Sequence, residues 1–515
     1  MKLKVTDDHK FLTVVDCTQN ELDQLTYSFT KKVDNYFIIK KKVPHWDGEV
    51  KFIDAYNRIP IGLWKEVKNI CKKYMFSLEV DGVEYLYDHN FNEKNFKNWA
   101  LEYFKESKLT PRHYQIEGGN RILKYKNCTE EISTSGGKTL IAFMLFKYLF
   151  DVKHIKKMLY IVPNISLVTQ TEEKFYEYED KCNKRPNWKS ECVFGGKKEN
   201  SEYESNIVFG TYQTLVKRDP EYFHNFDVVC VDETHHAKTN SIRKILVNCY
   251  NAEYKFGLTG TLPPENSCDS FIIQSYLGPK VYTINSADLI AAGTATPINV
   301  IGLELNYLKL SIKQNLYKLR NDKSENKDGV KILNLEKDIV RESKERFNYI
   351  VKKIASTTKN SLVLFSDIKN DYGRNIYNWI KENTEKNVYY IDGSTKSEIR
   401  DYYKTQIESK ENTIIIASIG TFSEGIDILN IHNIFIVESY KSDFIVRQVL
   451  GRGMRLMPGK EKVTVIDICD NFEYGSGYQK KNYLMRHADA RQNIYKERGF
   501  PYKRFKINIK KESLI

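Results

Sequence analysis

Short, nearly continuous apolar runs recur along the middle of the chain, each closing in polar or glycine-rich residues: KMLYIVPN, SNIVFGTYQ, FDVVCVDETHH and YKFGLTGTLPP. Runs without polar alternation predict strands buried on both faces, as in parallel sheets. Helical patterns such as ISLVTQTEEKF separate them. This alternation predicts an open α/β sheet over 91–295, with its polar turns at the strand C-termini where such sheets bind ligands. From about 296 the pattern restarts. A Lys/Asn/Glu-rich helical stretch over 311–358 precedes SLVLFSD, NVYYIDGS, NTIIIASIG, NIFIVES and KVTVIDICD, which predict a second α/β domain over 296–470.

The ends read differently. Over 1–90 the pattern predicts strand FLTVVDC, helix ELDQLTYSFTKKV, strands NYFIIKK and EVKFIDAY, helix IGLWKEVKNICKKY and strand FSLEV. That order suits a small separate α+β domain of split-βαβ type. Polar sequence over 91–108 reads as a linker or entry helix. The tail, 471–515, carries a basic helix, QKKNYLMRHADARQNIYKER, and a short strand-like end. Tyr483, Leu484, His487, Ile494 and Tyr495 fall on one face of that helix and predict packing on the second domain.

Composition narrows the class only slightly. The net charge of +13 over 515 residues is compatible with a polyanionic partner, although lysines also simply solvate a surface. No apolar run approaches the ~20 residues of a bilayer span, and MKLKVTDDHK has no apolar signal core. Nine scattered cysteines without a CxxC pair argue against a disulfide framework or structural zinc and fit a reducing cytoplasm. Adjacent His235 and His236 point apart and have no further ligands nearby in sequence.

The chemistry centres on Ile132-Ser133-Thr134-Ser135-Gly136-Gly137-Lys138-Thr139, between a strand pattern and the apolar LIAFMLFKYLF. At a strand-to-helix turn, glycines let backbone N–H groups close on phosphates, Lys138 reaches the β and γ phosphates, and the Thr139 hydroxyl ligates Mg²⁺. The usual first glycine is Ile132 here. Upstream, Pro111-Arg112-His113-Tyr114-Gln115 reads by itself as a helix N-terminus. Ahead of a phosphate loop, the Gln115 amide can also serve both edges of adenine. Asp232-Glu233 closes an apolar strand, supplying one acid for a Mg²⁺ water shell and one to activate water. Thr259-Gly260-Thr261 is suited to link that site to its neighbours. In the second domain, Gln448, Arg452 and Arg455 place two arginines three residues apart, on one helix face. Such residues can neutralise γ-phosphate charge. Lys40-Lys41-Lys42 beside Trp46 suits backbone contact and stacking, or a tryptophan packed over its own hairpin.

Taken together, TPRHYQ, STSGGKT, IVPNISLVTQ, GTYQT, VDETHH, LTGT, ASIGTFSEGIDI and QVLGRGMR resemble the ordered motifs of superfamily-two helicases over about 110–456. HWDGEVKFID, the upstream PxxYQ and the basic C-terminal helix resemble, more narrowly, the branched-DNA helicases of T4-like phages. Departures are Ile132, DETH for the commoner DEAH or DECH, and LTGT for SAT. The resemblance implies two tandem RecA-like parallel-sheet domains with a small α+β N-terminal domain and a short basic C-terminal helical element. It implies ATP and Mg²⁺ as cofactors, with Arg112, Gln115, Ser135, Gly136, Gly137, Lys138 and Thr139 on the nucleotide and Asp232 and Thr139 on the metal. Glu233 would activate water. Gln448, Arg452 and Arg455 would sense the γ-phosphate, and Gly425 and Asp427 would couple hydrolysis to the strand. Pro163, Thr211, Gln213, Ser366, Gly393 and Thr421 would follow nucleic-acid phosphates, with Lys41 and Trp46 as further contacts.

The implied protein is a monomeric cytoplasmic ATP-dependent helicase without a membrane partner. It would act on forks, recombination junctions and single-strand/duplex junctions, with RNA–DNA hybrids in view, in recombination, repair and replication. Rival readings are a double-strand DNA translocase of restriction or remodelling type, an RNA helicase, and a scaffold with a dead motor.

Overall fold

The computed structural model describes residues 1–34, 36, 43, 45–196, 205–307, 329–366, 371–425, 428–440, 443–472 and 481–509. Its contacts divide the chain into two units, Met1–Ile284 and Asn285–Ile515.

The first unit holds a seven-stranded sheet in which every pairing is parallel. Its order is Lys280–Ile284, Asn127–Ile132, Tyr254–Thr259, Val228–Asp232, Met158–Val162, Ile207–Thr211 and Ser190–Val193. The inner runs MLYIV and VVCVD are buried at every position, as the apolar runs require. Helix Lys138–Lys153 is buried over Leu140–Leu149, so LIAFMLFKYL is a core helix. Lys147 lies inside that core because Glu179 (3.3 Å) and Asp151 (3.2 Å) neutralise it. Glu179 in turn accepts hydrogen bonds from Tyr103 and Trp188.

The N-terminal segment has its own four-stranded sheet, in the order Arg58–Pro60, Phe11–Asp16, Lys2–Val5, Glu79–Asp81, and a separate ribbon, Thr30–Lys32 with Glu49–Lys51. The helix predicted to reach Val33 spans Gln19–Ser28 instead. Phe29 is buried at its C-terminus, and Thr30–Lys32 turns away to pair with Glu49–Lys51. The strands Lys2–Val5 and Arg58–Pro60 were too short to show periodicity. NYFIIKK falls largely outside the described residues. The core of this segment continues into helix Cys268–Leu277: Phe271 lies 5.5 Å from Phe29 and 5.3 Å from Phe52, ring to ring.

The second unit repeats the architecture, again with every pairing parallel. Its order is Asn387–Ile391, Thr413–Ser418, Ser361–Phe365, Asn433–Ile436, Val463–Asn471, Ile298–Tyr307, Tyr502–Ile509. The strand INVIGLELNY had no sequence expectation. The tail is integral: Tyr502–Ile509 pairs along Ile298–Tyr307, and helix Tyr483–Glu497 buries Leu484, Met485, Ala488, Ile494 and Tyr495. Its apparent basic character hides Arg491, wholly buried and forked onto Asp467 at 2.7–3.1 Å. Arg346 is held likewise by Asp470 on the same strand, Val463–Asn471. Removing one partner strands a buried charge. Arg491→Ala should therefore destabilise this unit by about 3–5 kcal/mol. Chemical denaturation of the full chain checks it; a loss below about 1 kcal/mol would mean that Asp467 does not depend on Arg491.

The predicted class, two tandem RecA-like α/β domains with smaller elements at both ends, is what the sheets show. No helix among the described residues is long and apolar enough to cross a membrane.

Candidate functional site

Strand Asn127–Ile132 ends directly at the phosphate loop, and helix Lys138–Lys153 starts with its lysine. Ile132 is fully buried and its backbone lies outside the left-handed region, so this position needs no glycine. Gly137 does need to be one. Its φ is +82°, and a Cβ there would lie 2.2 Å from the Gln115 amide nitrogen. Ser135 also carries a positive φ, of 73°. The turn closes through Gly136 N–H donating to the Ser133 carbonyl (2.9 Å), leaving Lys138 and Thr139 at a helix N-terminus that favours anions.

Gln115 is buried against this loop. Its carbonyl accepts from Arg112 N–H (2.8 Å) and its amide donates to the Gly136 carbonyl (3.0 Å). One amide hydrogen is thus spent on the loop and one lone pair on the helix cap, which leaves the second amide hydrogen and the second lone pair for a base. Arg112 bonds the Tyr114 hydroxyl at 2.9 Å.

Asp232 and Glu233 follow Val228–Asp232 in a tight turn. Glu233 adopts φ 50°, ψ 56°, which for a non-glycine residue stores local strain, and its N–H donates to Asp232 Oδ1 at 2.9 Å. Tyr160, on the adjacent strand, donates to Asp232 Oδ2 at 3.2 Å. Burial first, then the charge of Glu233, push Asp232 up to about 6, while the Lys138 ammonium pulls it down. A buried carboxylate raised in this way is short of positive charge, and a divalent cation supplies it. Thr259 Oγ1 lies 3.3 Å from Glu233 Oε2, 3.3 Å from His235 Nδ1 and 3.0 Å from the Thr261 carbonyl. Its single hydrogen can serve only one acceptor at a time. Burial holds His235 down to about 3, so the ring is neutral at physiological pH. A Cβ on Gly260 would lie 3.6 Å from Lys138 Nζ. Phosphate loop, carboxylate turn and Thr259-Gly260-Thr261 therefore form one cluster. Its backbone cradle, lysine, hydroxyl and buried carboxylate fit a Mg²⁺-bound nucleoside triphosphate.

Three contributors escaped sequence reasoning. Tyr160 and His235 gain their roles only from strand register and the carboxylate turn. Glu130 lies mid-strand, fully buried, two residues before Ile132, and neither carboxyl oxygen has a hydrogen-bond partner among the described residues. Gly118 makes room for it: a Cβ there would meet Glu130 Oε2 at 2.9 Å. Burial first, then Glu117, raise Glu130 from 4.5 to about 8, so the folded state holds it as the neutral acid. Its contribution to stability is present below pH 4.5 and is lost as pH rises to about 8. Glu130→Gln should match the wild type near pH 4.5 and gain on it by about 1.4 kcal/mol per pH unit up to the raised value. Denaturation at a series of pH values checks this, and a pH-independent difference would exclude it.

The nucleic-acid candidates gather at strand C-termini. In the first unit, Thr211 pairs in register with Val162, and Gln213 donates to the Pro163 carbonyl at 2.9 Å. In the second, Ser366 follows its strand and donates twice to Glu438 (2.6 and 3.0 Å), while Gly393 lies beside Thr421. Trp46 is half-buried and donates its indole N–H to the Glu49 carbonyl at 3.2 Å. Lys41 and Asp427 lie outside the described residues.

Gln448 and Arg452 sit on helix Asp443–Gly453. The helix stops before Arg455, so the two arginines do not share a helical face as their spacing suggested. Arg452 donates to the Phe422 carbonyl of the short helix Ile419–Gly425. The Arg455 carbonyl is clamped by Thr296 Oγ1 (3.0 Å) and Lys460 Nζ (3.2 Å). Gln448 Oε1 is buried without a hydrogen-bond partner among the described residues.

Known proteins fit this geometry. The family described as Type III restriction enzyme, res subunit, matches residues 108–264, and the helicase conserved C-terminal domain matches 345–457. The ATP-dependent DNA helicase uvsW of Enterobacteria phage T4 is 28% identical, over 97% of this chain and 99% of its own. Among solved structures, a fragment of a putative HsdR subunit of a type I restriction enzyme from Vibrio vulnificus YJ016 shares the fold. It aligns at TM-score 0.55 and 17% identity, covering 100% of this chain and 89% of its own. S. cerevisiae Dbp5 bound to RNA and ADP BeF3 shares it too, at TM-score 0.51 and 12% identity over 80% and 93%.

Proposed function

We propose that this chain, a homologue of the UvsW-like superfamily-two DNA helicases and thus an ATP-dependent helicase or translocase, acts on branched DNA. One observation carries the reading. The relationship to a DNA helicase runs through the N-terminal segment with HWDGEVKFID and the C-terminal helix as well as the motor. The Dbp5 likeness, by contrast, is one of fold at 12% identity. Forks and recombination junctions are the substrates that the narrower resemblance implies.

In this reading Lys138 and the loop N–H groups bind the phosphates, and Gln115 holds the loop shut while offering its remaining amide hydrogen to adenine. Asp232 and Thr139 would hold Mg²⁺, which would supply neutralisation of phosphate charge. Glu233 orients and deprotonates the attacking water, and Thr259 and neutral His235 fix its carboxylate. Gln448, Arg452 and Arg455 respond to the γ-phosphate. The strand-end residues Pro163, Thr211, Gln213, Ser366, Gly393 and Thr421 follow backbone phosphates, which gives little sequence preference.

The test is ATPase stimulation by single-stranded DNA, duplex, forked DNA, four-way junctions and RNA. Forks and junctions should stimulate most and RNA least. RNA equal to the fork would overturn the reading in favour of an RNA helicase, and duplex equal to the fork in favour of a double-strand translocase.

A further inference from the structure

Within the first unit, a cavity of about 660 Å³ opens between the N-terminal segment and the parallel sheet. Lys31 and Lys32 reach it from the ribbon strand Thr30–Lys32, and Lys65 and Lys73 from helix Trp64–Tyr74. Its other wall includes Leu262 and Pro263, immediately after Thr259-Gly260-Thr261. Lys280 also lines it but is paired with Glu265 at 2.7 Å.

The other four lysines make no ion pair among the described residues. Lys65 donates to the Lys280 carbonyl at 3.3 Å, and Lys31 lies 4.2 Å over the Phe271 ring. Of the carboxylates on the wall, Glu66 accepts from Gln274 and its charge offsets Lys31 and Lys65 only in part. Burial pushes Lys31 and Lys65 down and outweighs the nearby charge of Glu66, as expected of ammonium groups that no carboxylate pairs directly. A second, independent feature points the same way. Thr129, 1% exposed and on the strand leading to the phosphate loop, lines the cavity, and its hydroxyl has no hydrogen-bond partner among the described residues. Clustered unpaired cations with an unused hydroxyl between them form a site for a phosphate-bearing anion.

We propose that this cavity is a second phosphate site, which holds backbone phosphates of a single-stranded DNA arm. It rests on the DNA reading above and adds the place where the N-terminal segment grips substrate. Tyr27, 78% exposed, and Tyr74 give the rim flat surfaces on which bases stack. The cavity wall runs straight into the turn that carries Thr259, so a strand held there sits next to the element that touches Glu233.

The experiment measures forked-DNA binding by the full chain, without ATP, over a salt series. Lys31→Gln/Lys73→Gln should lower the slope of log affinity against log salt by about 1.4, at about 0.7 per single-strand phosphate contact. Lys65→Gln should lower it by about 0.7. Blunt duplex should show no slope difference between wild type and variants. An unchanged fork slope, or an equal loss on blunt duplex, overturns the proposal. A nucleoside monophosphate that binds wild type but not the double variant, with the fork slope unchanged, also overturns it and makes the cavity a free-ligand site. ATPase without DNA should be unaltered in the double variant. A wild type that binds no DNA fails the proposed function itself, whereas wild-type binding with unaltered variant slopes fails only this inference.

Discussion

Lys138→Ala should abolish DNA-stimulated ATP hydrolysis, with a fall of at least 10²–10³ in turnover, the order that one preorganised charge-stabilising donor supplies. Lys138 opens helix Lys138–Lys153 directly after the Gly137 turn, and its ammonium points toward Gly260 and the Asp232 carboxylate. Alanine is a strong helix former and leaves that turn intact, so the loss should be one of phosphate binding and not of folding. Steady-state ATPase with nucleotide-binding and melting controls checks it. Undiminished turnover would remove the loop from the catalytic site.

Arg455→Ala should separate binding from chemistry. Nucleotide affinity should stay near wild type while turnover drops by about 10³–10⁵, the range for an arginine that meets γ-phosphate charge in the transition state. The backbone here is anchored without the guanidinium, since Thr296 and Lys460 both hold the Arg455 carbonyl. Loss of the side chain should therefore leave the local fold in place. Normal turnover would exclude a finger role; loss of nucleotide affinity with it would indicate a binding role instead.

Much of this protein was legible as text because its central strands are buried on both faces. Continuous apolar runs such as VVCVD and TIIIAS leave a parallel sheet as their natural setting, and the turns that close them must carry the chemistry. Asp232 and Glu233 could be picked out for that reason, at the end of such a run, and Lys138 from the Gly136-Gly137-Lys138-Thr139 spacing. What misled the reading was local pattern near weak signals. The helix written through Phe29 stopped early because Thr30–Lys32 found a strand partner, and Arg455 fell beyond the helix that its spacing implied.

The sequence by itself determined the two α/β domains and singled out the glycine-rich loop and the two carboxylates, because these depend on residue type at short spacing. Only tertiary structure decided that Ile132 is a core residue and not a damaged glycine position, that Gln115 spends its amide on the loop, and that Thr259 and His235 brace Glu233. It alone added the Arg491–Asp467 pair to the packing that the apolar face of the tail helix predicted, and gathered four unpaired lysines around one cavity. The reason is physical. Hydrogen bonds, buried ion pairs and desolvation depend on which atoms come within a few ångströms, and strand order, not sequence distance, sets that.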